Sequence, residues 1–275
     1  MTKKIALFIF YIIKFLDKIL YTLFKRTFKH YLYNFLRKDS FERKSINNIN
    51  CNFFIPSQLS KWRVDTLLTK EPETIKWIEK FENVNGKTIF WDIGANIGLY
   101  SIYAALKHNF IHKVIAFEPS TSNLNILSTN ISINGLSNRV FVFNQPLSDN
   151  FGKFLPLKET FTEEGGSMNA YGVNFDHAGN EFKAEITYQL LGNSINNLLK
   201  NKIIDIPDYI KIDVDGIEHL ILKGGDEFLN EKKIKEIQIE INEDFIEQKK
   251  TVLNIMKDKN FKILNKNNVV IDSES

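Results

Sequence analysis

Acidic residues at the ends of apolar runs are the features of this sequence best suited to chemistry, and one of them precedes a glycine turn. Asp92 follows the apolar run 89–91, and Gly94, Asn96 and Gly98 come next. Glycine carries no Cβ, so such a turn lets the backbone approach a ligand. The apolar residues after the turn recur at helical spacing, which predicts a strand, a turn and a helix whose first N–H groups are unpaired.

The turn lacks the spacing of a phosphate-binding loop. A Walker loop needs a lysine after its glycines and a dinucleotide fingerprint needs GxGxxG, whereas this segment reads GANIG. A carboxylate at Asp92 would repel a pyrophosphate but accept hydrogen bonds from an ammonium or a hydroxyl group. S-adenosylmethionine carries an amino group and a sulfonium and no phosphate, so we expect it to suit this site. A turn that holds no ligand is the alternative.

A second acid, Glu118, ends the strand predicted over 113–117. In doubly wound sheets, ligands lie outside the carboxyl ends of the strands, and an acid about 20 residues past the glycine turn binds ribose hydroxyls. The interval from Gly98 to Glu118 fits this spacing. We expect Glu118 to hold the ribose, and a plain surface carboxylate is the alternative.

A third strand pattern, 209–212, ends at Asp213 and is followed by a turn that contains Asp215. The helix predicted next carries Glu218 and His219 in its first turn. These side chains belong to the same predicted edge of the sheet, because the carboxyl ends of parallel strands lie together.

The three segments together resemble one family. The strings DIGANIGLYS, AFEP and IKIDVDGIEHLILKG occur in this order and are similar to the FkbM family of S-adenosylmethionine-dependent methyltransferases. The resemblance runs from about residue 71 to about residue 240. It implies an α/β fold of the class I methyltransferase type, a Rossmann-like, doubly wound and mostly parallel sheet. A C-terminal antiparallel strand pair, predicted at 261–264 and 269–272, suits this fold.

The resemblance also implies roles for site residues. The residues expected to bind the cofactor are Asp92, Gly94, Asn96, Gly98, Glu118, Asn144 and Glu71. Asn144 follows the strand predicted at 139–143, where the adenine would lie. Glu71 belongs to a segment that covers the methionine end of the cofactor in similar enzymes. A carboxylate that stabilises a helix dipole is the alternative for Glu71.

Methyl transfer to an alcohol requires an aligned acceptor and removal of its proton. The residues expected to do this are Asp213, Asp215, Glu240 and His219, with Asp213 nearest the methyl group. A divalent cation is a further option, because Asp213, Asp215 and Glu218 offer the oxygen ligands that hard ions prefer. His219 could instead be a helix-surface residue, and Glu240 a structural acceptor.

The resembled family is associated with O-methylation of sugars and secondary metabolites. The segment 213–216 reads DVDG instead of the Asn/Asp-Pro-Pro-aromatic sequence of base N-methyltransferases, so we expect no nucleic-acid partner. We predict a sugar hydroxyl on a glycan, lipid-linked saccharide or glycosylated metabolite as acceptor, in the cytoplasm at the inner face of the membrane. A non-catalytic scaffold of a glycan-assembly complex is the alternative, whereas the glycine spacing disfavours an NAD-dependent oxidoreductase.

The positive charge of the 275-residue chain is concentrated in residues 1–38. This segment has nine Lys and Arg against one acid, a charge of +8, which leaves −5 for the remainder of a chain whose net charge is +3. Its charge-free run 5–13 is too short to span a membrane, and polar residues recur near helical spacing, which predicts an amphipathic helix. Three roles remain open: contact with an anionic membrane, packing on the domain or in a homo-oligomer, and an anchoring signal.

We divide the chain into a helical arm (1–38), a lead-in that covers the cofactor (39–85) and a methyltransferase domain (86–275). The further elements predicted are a loop at 47–52, helices at 72–81, 122–134, 194–199 and 245–259, and a strand at 234–241. Two alternating segments, 151–157 and 181–190, predict an inserted hairpin. Residues 165–169 between them are expected to form a flexible rim of the acceptor pocket or a solvated loop without a role. The single cysteine, Cys51, excludes an internal disulfide.

Overall fold

The computed structural model describes residues 1–83 and 85–267, and the chain forms two compact units that divide after Glu42. The first unit contains two helices, α1 (Thr2–Phe24) and α2 (Lys29–Lys38), where a single amphipathic helix was expected. α1 ends because the residue after it adopts a left-handed φ of 54°. Asp17 of α1 accepts hydrogen bonds from the Thr27 hydroxyl (2.6 Å) and the Phe28 N–H (2.7 Å), so its carboxylate fixes the start of α2. Within the described parts of the chain, no helix combines the length and the apolarity of a transmembrane span.

A small two-stranded sheet and two helices follow α2 in the chain. Their bounds are β1 (Phe41–Ile46), β2 (Ile49–Phe54), α3 (Gln58–Lys70) and α4 (Pro72–Glu79). The prediction of a loop at 47–52 is wrong, because most of this segment belongs to β2. The Asn134 side chain pairs with both backbone groups of Asn52, at 2.9 and 2.7 Å, and Cys51 is fully buried. As predicted, α4 starts at Pro72. Proline lacks a backbone N–H group, but no helical hydrogen bond is lost, because the first N–H groups of a helix have no partner within it.

A five-stranded parallel sheet forms the centre of the second unit. Its strands and the helices between them are β3 (Thr88–Ile93), α5 (Leu99–Lys107), β4 (Ile111–Phe117), α6 (Thr121–Ile133), β5 (Val140–Phe143), α7 (Ile195–Lys200), β9 (Tyr209–Ile212), α8 (Glu218–Lys223), β10 (Glu236–Ile239) and α9 (Ile246–Asp258). The strand order is β10-β9-β3-β4-β5. From β3 the chain continues through β4 to β5 at one edge of the sheet. It then crosses to the other side of β3, where β9 and β10 complete the sheet. The predicted doubly wound, mostly parallel α/β fold is confirmed, and its switch point lies between β3 and β9.

Both faces of the sheet are covered, which explains the continuous apolar runs of its strands. Successive strand residues point to opposite faces. Phe90 packs with Ile102 and Leu127 in the cluster on one face, whereas Trp91 packs with Ile221 in the cluster on the other. Because apolar clusters pack on both faces of the sheet, the ends of its strands are held rigidly. They therefore support the side chains at the edge of the sheet.

A second, antiparallel sheet lies in the chain between β5 and α7. It consists of β6 (Phe154–Glu159), β7 (Ala170–Tyr171) and β8 (Ile186–Leu191), with β6 paired to both neighbours. The predicted inserted hairpin is confirmed, and β7 adds a short third strand. Residues 161–168, which we call the 161–168 loop, connect β6 to β7.

The predicted C-terminal strand pair is only partly covered by the structure. Residues 261–264 have no regular secondary structure, so this half of the prediction is wrong. A strand needs a neighbour for its N–H and C=O groups, and among the described residues this segment pairs with none. The other half, 269–272, lies outside the described residues.

Candidate active site

Asp92 and Lys211 face each other across the switch point. They are register partners in β3 and β9, and they are only 0 % and 3 % exposed. Oδ2 of Asp92 accepts a hydrogen bond from the Ser101 hydroxyl (2.6 Å), whereas Oδ1 is buried and has no hydrogen-bond partner among the described residues. Burial raises the pKa of Asp92, and the Lys211 ammonium and the Ser101 hydroxyl oppose this shift.

Lys211 is a charged group that sequence reasoning missed. Its Nζ lies 2.5 Å from Oδ2 of Asp213 and 4.9 Å from the centre of the Tyr100 ring. Burial alone would lower the pKa of Lys211, but the carboxylates of Asp213, Glu71 and Asp92 outweigh it and raise the pKa. The sequence did contain a signal, because a lysine inside an otherwise apolar buried strand needs a charged partner.

Asp213 and Glu240 form a carboxyl pair beside this lysine. Burial alone would raise the pKa of Asp213, but the Lys211 ammonium and a hydrogen bond with Glu240 lower it below its ordinary value. The charge of Asp213 and the same hydrogen bond raise the pKa of Glu240. Asp213 is therefore the more acidic member of the pair, and Glu240, which is exposed to solvent, is the less acidic one.

A cleft with a cavity volume of about 50 Å³ opens at this point, smaller than the roughly 300–1,000 Å³ of typical ligand pockets. Its lining includes Glu71, Tyr100, Lys211 and Asp213 together with the glycine turn. Glu71 accepts a hydrogen bond from the Tyr100 hydroxyl at 2.9 Å. The structure thus brings Glu71 of the lead-in, Gly94 and Asn96 of the turn, and Asp213 directly after β9 to one cleft, as the sequence predicted.

The two glycines of the turn are required for packing between elements. Gly94 has a φ of 87°, and a Cβ there would lie 1.8 Å from the carbonyl oxygen of Asp213. Gly98 has a φ of 86°, and a Cβ there would lie 2.5 Å from the Leu127 side chain of α6. These positions admit no larger side chain, because the tips of β3 and β9 and the start of α5 approach so closely.

Glu118 is buried and holds the glycine turn. Its carboxylate accepts hydrogen bonds from the N–H of Asn96 (2.7 Å) and of Ser120 (2.9 Å). Burial raises the pKa of Glu118 to about 7, against the effect of these hydrogen bonds. Ser120 also caps α6. Each carboxylate oxygen keeps further acceptor capacity, so Glu118 can still receive a ribose hydroxyl.

The 161–168 loop packs against the turn instead of forming a free rim. The carbonyl oxygen of Gly166 accepts hydrogen bonds from the side chains of Asn96 (2.7 Å) and Asn123 (3.1 Å). The Gly165 N–H donates to Asn123 at 2.9 Å, and Arg63 donates to the Gly165 carbonyl oxygen. The loop thereby covers the side of the site at which Glu118 ends.

Asp215 anchors the end of this loop. Its Oδ2 accepts hydrogen bonds from the N–H of Met168 (2.6 Å) and of Asn169 (3.4 Å). Burial and the neighbouring Asp213 charge raise the pKa of Asp215. Asp215 is not among the residues that line the cleft, so the structure gives it a loop-holding role where sequence analysis expected a catalytic one.

Glu218 and His219 lie away from the cleft, contrary to expectation. The Glu218 carboxylate is buried and accepts hydrogen bonds from the N–H of Val214 (3.0 Å) and Gly216 (3.1 Å), so it shapes the turn after β9. His219 packs near the rings of Phe175 and Phe245, and burial lowers its pKa.

The metal site considered for Asp213, Asp215 and Glu218 does not form. Among the described residues, no group of three or more His, Cys, Asp or Glu side chains could hold an ion. The physical reason is that the Glu218 and Asp215 carboxylates are occupied by backbone N–H groups. Asn144, expected near the adenine, is exposed and is not part of the cleft lining.

The residues of the cleft fit S-adenosylmethionine at its amino-acid end. The Glu71 carboxylate can accept hydrogen bonds from an ammonium group, and Lys70 and Lys211 supply positive charge for a carboxylate. The unpaired Oδ1 of Asp92 is an additional buried acceptor at the same strand tip. At the nucleoside end, the ribose would meet Glu118 beneath the 161–168 loop.

Comparison with known proteins decides the family. A model of the Methyltransferase FkbM domain matches residues 92–263, which is more than half of the chain. The chain belongs to the FkbM methyltransferase family. The family expected from the three motifs is therefore confirmed.

The individual proteins that resemble this FkbM methyltransferase share low sequence identity with it. The Methyltransferase sdnD of Sordaria araneosa is 27 % identical over 165 residues, which cover 53 % of this chain and 63 % of that protein, so the chain spans less than two thirds of this curated relative. The crystal structure of Methyltransferase FkbM from Methylobacillus flagellatus KT is 19 % identical, with a TM-score of 0.40 and coverage of 72 % of this chain and 48 % of that one. An O-methyltransferase from Bacillus cereus, in complex with SAH, is 12 % identical, with a TM-score of 0.38 and coverage of 88 % and 85 %.

Proposed function

We propose that this FkbM-family protein transfers the methyl group of S-adenosylmethionine to a sugar hydroxyl on a glycan, lipid-linked saccharide or glycosylated metabolite. The observation that supports the transfer chemistry most directly is the state of Asp213. This carboxylate lines the cleft at the switch point of the sheet, and Lys211 and Glu240 together keep it ionised. An ionised acceptor at this place suits the removal of a proton from an alcohol.

The binding role of Glu71 follows from its place in the cleft lining, whereas that of Glu118, which lies outside the lining, follows from its contact with the glycine turn. When bound, S-adenosylmethionine supplies an electrophilic methyl group that needs no further activation. Glu71 binds the ammonium group, and its hydrogen bond to the Tyr100 hydroxyl keeps the carboxylate in place. Glu118 receives the ribose hydroxyls, and the Asn96 and Ser120 N–H groups orient it. These contacts fix the methyl group in front of the strand tip, which is a proximity effect.

Asp213 accepts the proton of the acceptor hydroxyl. As the oxygen–carbon bond forms and the carbon–sulfur bond breaks, the hydroxyl proton becomes far more acidic than a carboxylic acid. A carboxylate whose pKa is lowered can therefore still take it up. Lys211 and Glu240 are positioning residues, because they act on the charge and orientation of Asp213.

The sugar class of the acceptor is supported by chemistry and by the family resemblance. An ionised carboxylate accepts hydrogen bonds from hydroxyl groups, and Asp213 is a carboxylate in the cleft lining that is not assigned to the cofactor. We place the acceptor pool at the cytoplasmic face of a membrane, in keeping with the basic residues of the arm.

Transfer of a labelled methyl group tests this function. The protein is incubated with methyl-labelled S-adenosylmethionine and a membrane glycan extract, with Asp213→Asn as the matched inactive variant. We expect label in the saccharide fraction with the wild-type protein and at least a hundredfold less with the variant. Label found only in protein or RNA would contradict a sugar acceptor.

A non-catalytic scaffold of a glycan-assembly complex is the second candidate. One observation favours it: Glu118 is only 4 % exposed, and both of its oxygens already accept backbone hydrogen bonds beneath the 161–168 loop. A scaffold would not bind S-adenosylhomocysteine, whereas the enzyme must do so after opening this loop. Calorimetric titration with S-adenosylhomocysteine therefore separates the two candidates.

A further inference from the structure

Helix α1 carries an apolar stripe that is open to solvent. Its residues recur at spacings of four and three, so they lie on one side of a helix with 3.6 residues per turn. Their side chains are 41–67 % exposed: Ile5, Ile9, Ile12, Leu16, Ile19 and Leu23. The stripe extends over about 27 Å at 1.5 Å per residue. Aromatic side chains flank it, among them Phe8 and Phe15, and α2 exposes Tyr31, Tyr33 and Phe35. A monomeric protein in water rarely leaves such a continuous patch uncovered.

The charge of the same segment identifies what covers the stripe. Lysines 3, 14 and 18 lie on the side of α1 opposite to the stripe, and Lys4 lies at its flank, by helical periodicity. Residues 1–38 contain nine Lys and Arg, and their single acid, Asp17, is buried and bound to the start of α2. The charged surface of the arm is therefore purely cationic, and the side of α1 that carries the lysines also exposes apolar residues such as Leu7, Phe10 and Tyr11.

We propose that the arm, residues 1–38, is a docking surface for an anionic lipid bilayer, with α1 lying in the plane of the interface. The aliphatic stripe enters the acyl boundary, and the lysines reach the acidic headgroups. The tyrosines of α2 suit the headgroup level, where amphipathic rings concentrate. This inference does not depend on methyl transfer.

Two other occupants fit the arm less well. A second copy would bring two segments of charge +8 together, and like charges on that scale oppose association. A nucleic acid would attract the lysines but would leave six exposed aliphatic side chains in water. An anionic bilayer satisfies both the charge and the apolar stripe.

Flotation of the full chain with lipid vesicles tests the proposal. Vesicles contain either phosphatidylcholine alone or equal parts of phosphatidylcholine and phosphatidylglycerol. We expect binding that is at least tenfold stronger with phosphatidylglycerol and that weakens as salt is raised. The double variant Ile9→Glu and Leu16→Glu should reduce binding by roughly tenfold or more, because two apolar side chains are lost from the stripe.

The matched control places the same changes on exposed apolar residues of the second unit, Ile203→Glu and Ile263→Glu, and should bind like the wild type. Circular dichroism confirms that each variant is folded. Failure of the wild type to float with phosphatidylglycerol would overturn the proposal, as would equal binding by the arm variant. If light scattering shows a dimer that only the arm variant loses, and vesicles do not bind, a second copy covers the stripe instead.

Discussion

Asp92 of β3 and Lys211 of β9 are register partners on adjacent parallel strands, and both side chains are shielded from water at the switch point of the sheet. The lysine ammonium lies 2.5 Å from Asp213 and is also influenced by Glu71. Carboxylates from two strands and the lead-in therefore share one buried cation. A buried charge of this kind is stable only while its partners remain, so the cluster couples the stability of the fold to the shape of the cleft.

The first prediction concerns removal of this cation. Lys211→Met should lower the free energy of unfolding by about 3–5 kcal/mol, because buried carboxylates lose their counter-charge. Urea denaturation measures the change. Lys235→Met is the matched control, since Lys235 pairs with Glu82 at a solvent-exposed site and should change stability by less than about 1 kcal/mol. Equal losses in the two variants would show that the Lys211 cluster is not a structural unit.

The second prediction separates two aspartates of the same turn. Asp213→Asn should lower kcat by on the order of a hundredfold or more, because it removes the ionised acceptor in the cleft. Asp215→Asn makes the same chemical change two residues away, and its carboxamide oxygen can still accept the Met168 N–H. Its effect on kcat should stay below about tenfold.

Steady-state kinetics with the methyl acceptor provide the measurement for this pair. His219→Phe serves as a further control, since His219 lies among aromatic rings outside the cleft. A larger loss of kcat from Asp215→Asn than from Asp213→Asn would reverse the roles that we assign to the two residues.

The third prediction is a pH dependence of stability that Glu118 causes. Burial raises its pKa from 4.5 to about 7. A carboxyl group that binds its proton more tightly in the folded state contributes stability below the unfolded pKa, and this contribution is lost as pH rises through the folded pKa. Between pH 4.5 and 7 the wild-type protein should therefore lose about 3 kcal/mol through this group.

The substitution Glu118→Gln removes the titrating carboxyl group. It also places an amide N–H group opposite one of the two backbone N–H groups that donate to Glu118. The variant should be less stable than the wild type at low pH by about 1–3 kcal/mol, and this gap should close or reverse as the wild type loses about 3 kcal/mol up to pH 7. Urea denaturation at several pH values measures both curves. A gap that stays constant or widens over this range would contradict a raised pKa at Glu118.

Sequence patterns predicted the sheet well because its strands are buried on both faces. The run before Asp92, the strand before Glu118 and the strand before Asp213 each have the continuous apolar character of parallel strands. Glycine spacing and strand-end acids then located the switch point. The positions of these acids in the sequence were sufficient to predict that they lie near one another, because the carboxyl ends of parallel strands meet at one edge of the sheet.

Sequence patterns failed where long-range contacts decide the role of a residue. Asp215 and Glu218 are carboxylates at a strand tip, yet backbone N–H groups of the 161–168 loop end and of the turn after β9 occupy them. The importance of Lys211 depends on partners from three separate segments. β2 was missed because its burial comes from contacts such as the pairing of Asn52 with Asn134, 82 residues away in the chain.

The most direct test of the account is calorimetric titration of the protein with S-adenosylhomocysteine, using Asp92→Asn and the matched surface variant Asp65→Asn, whose aspartate pairs with Lys61 in solvent. We predict that the wild type and Asp65→Asn bind with equal affinity. Asp92→Asn should bind roughly tenfold or more weakly, because the buried acceptor at the strand tip becomes partly a donor. Absence of binding to the wild type, or unchanged affinity in a folded Asp92→Asn variant, would contradict the assignment of this strand tip as the cofactor site.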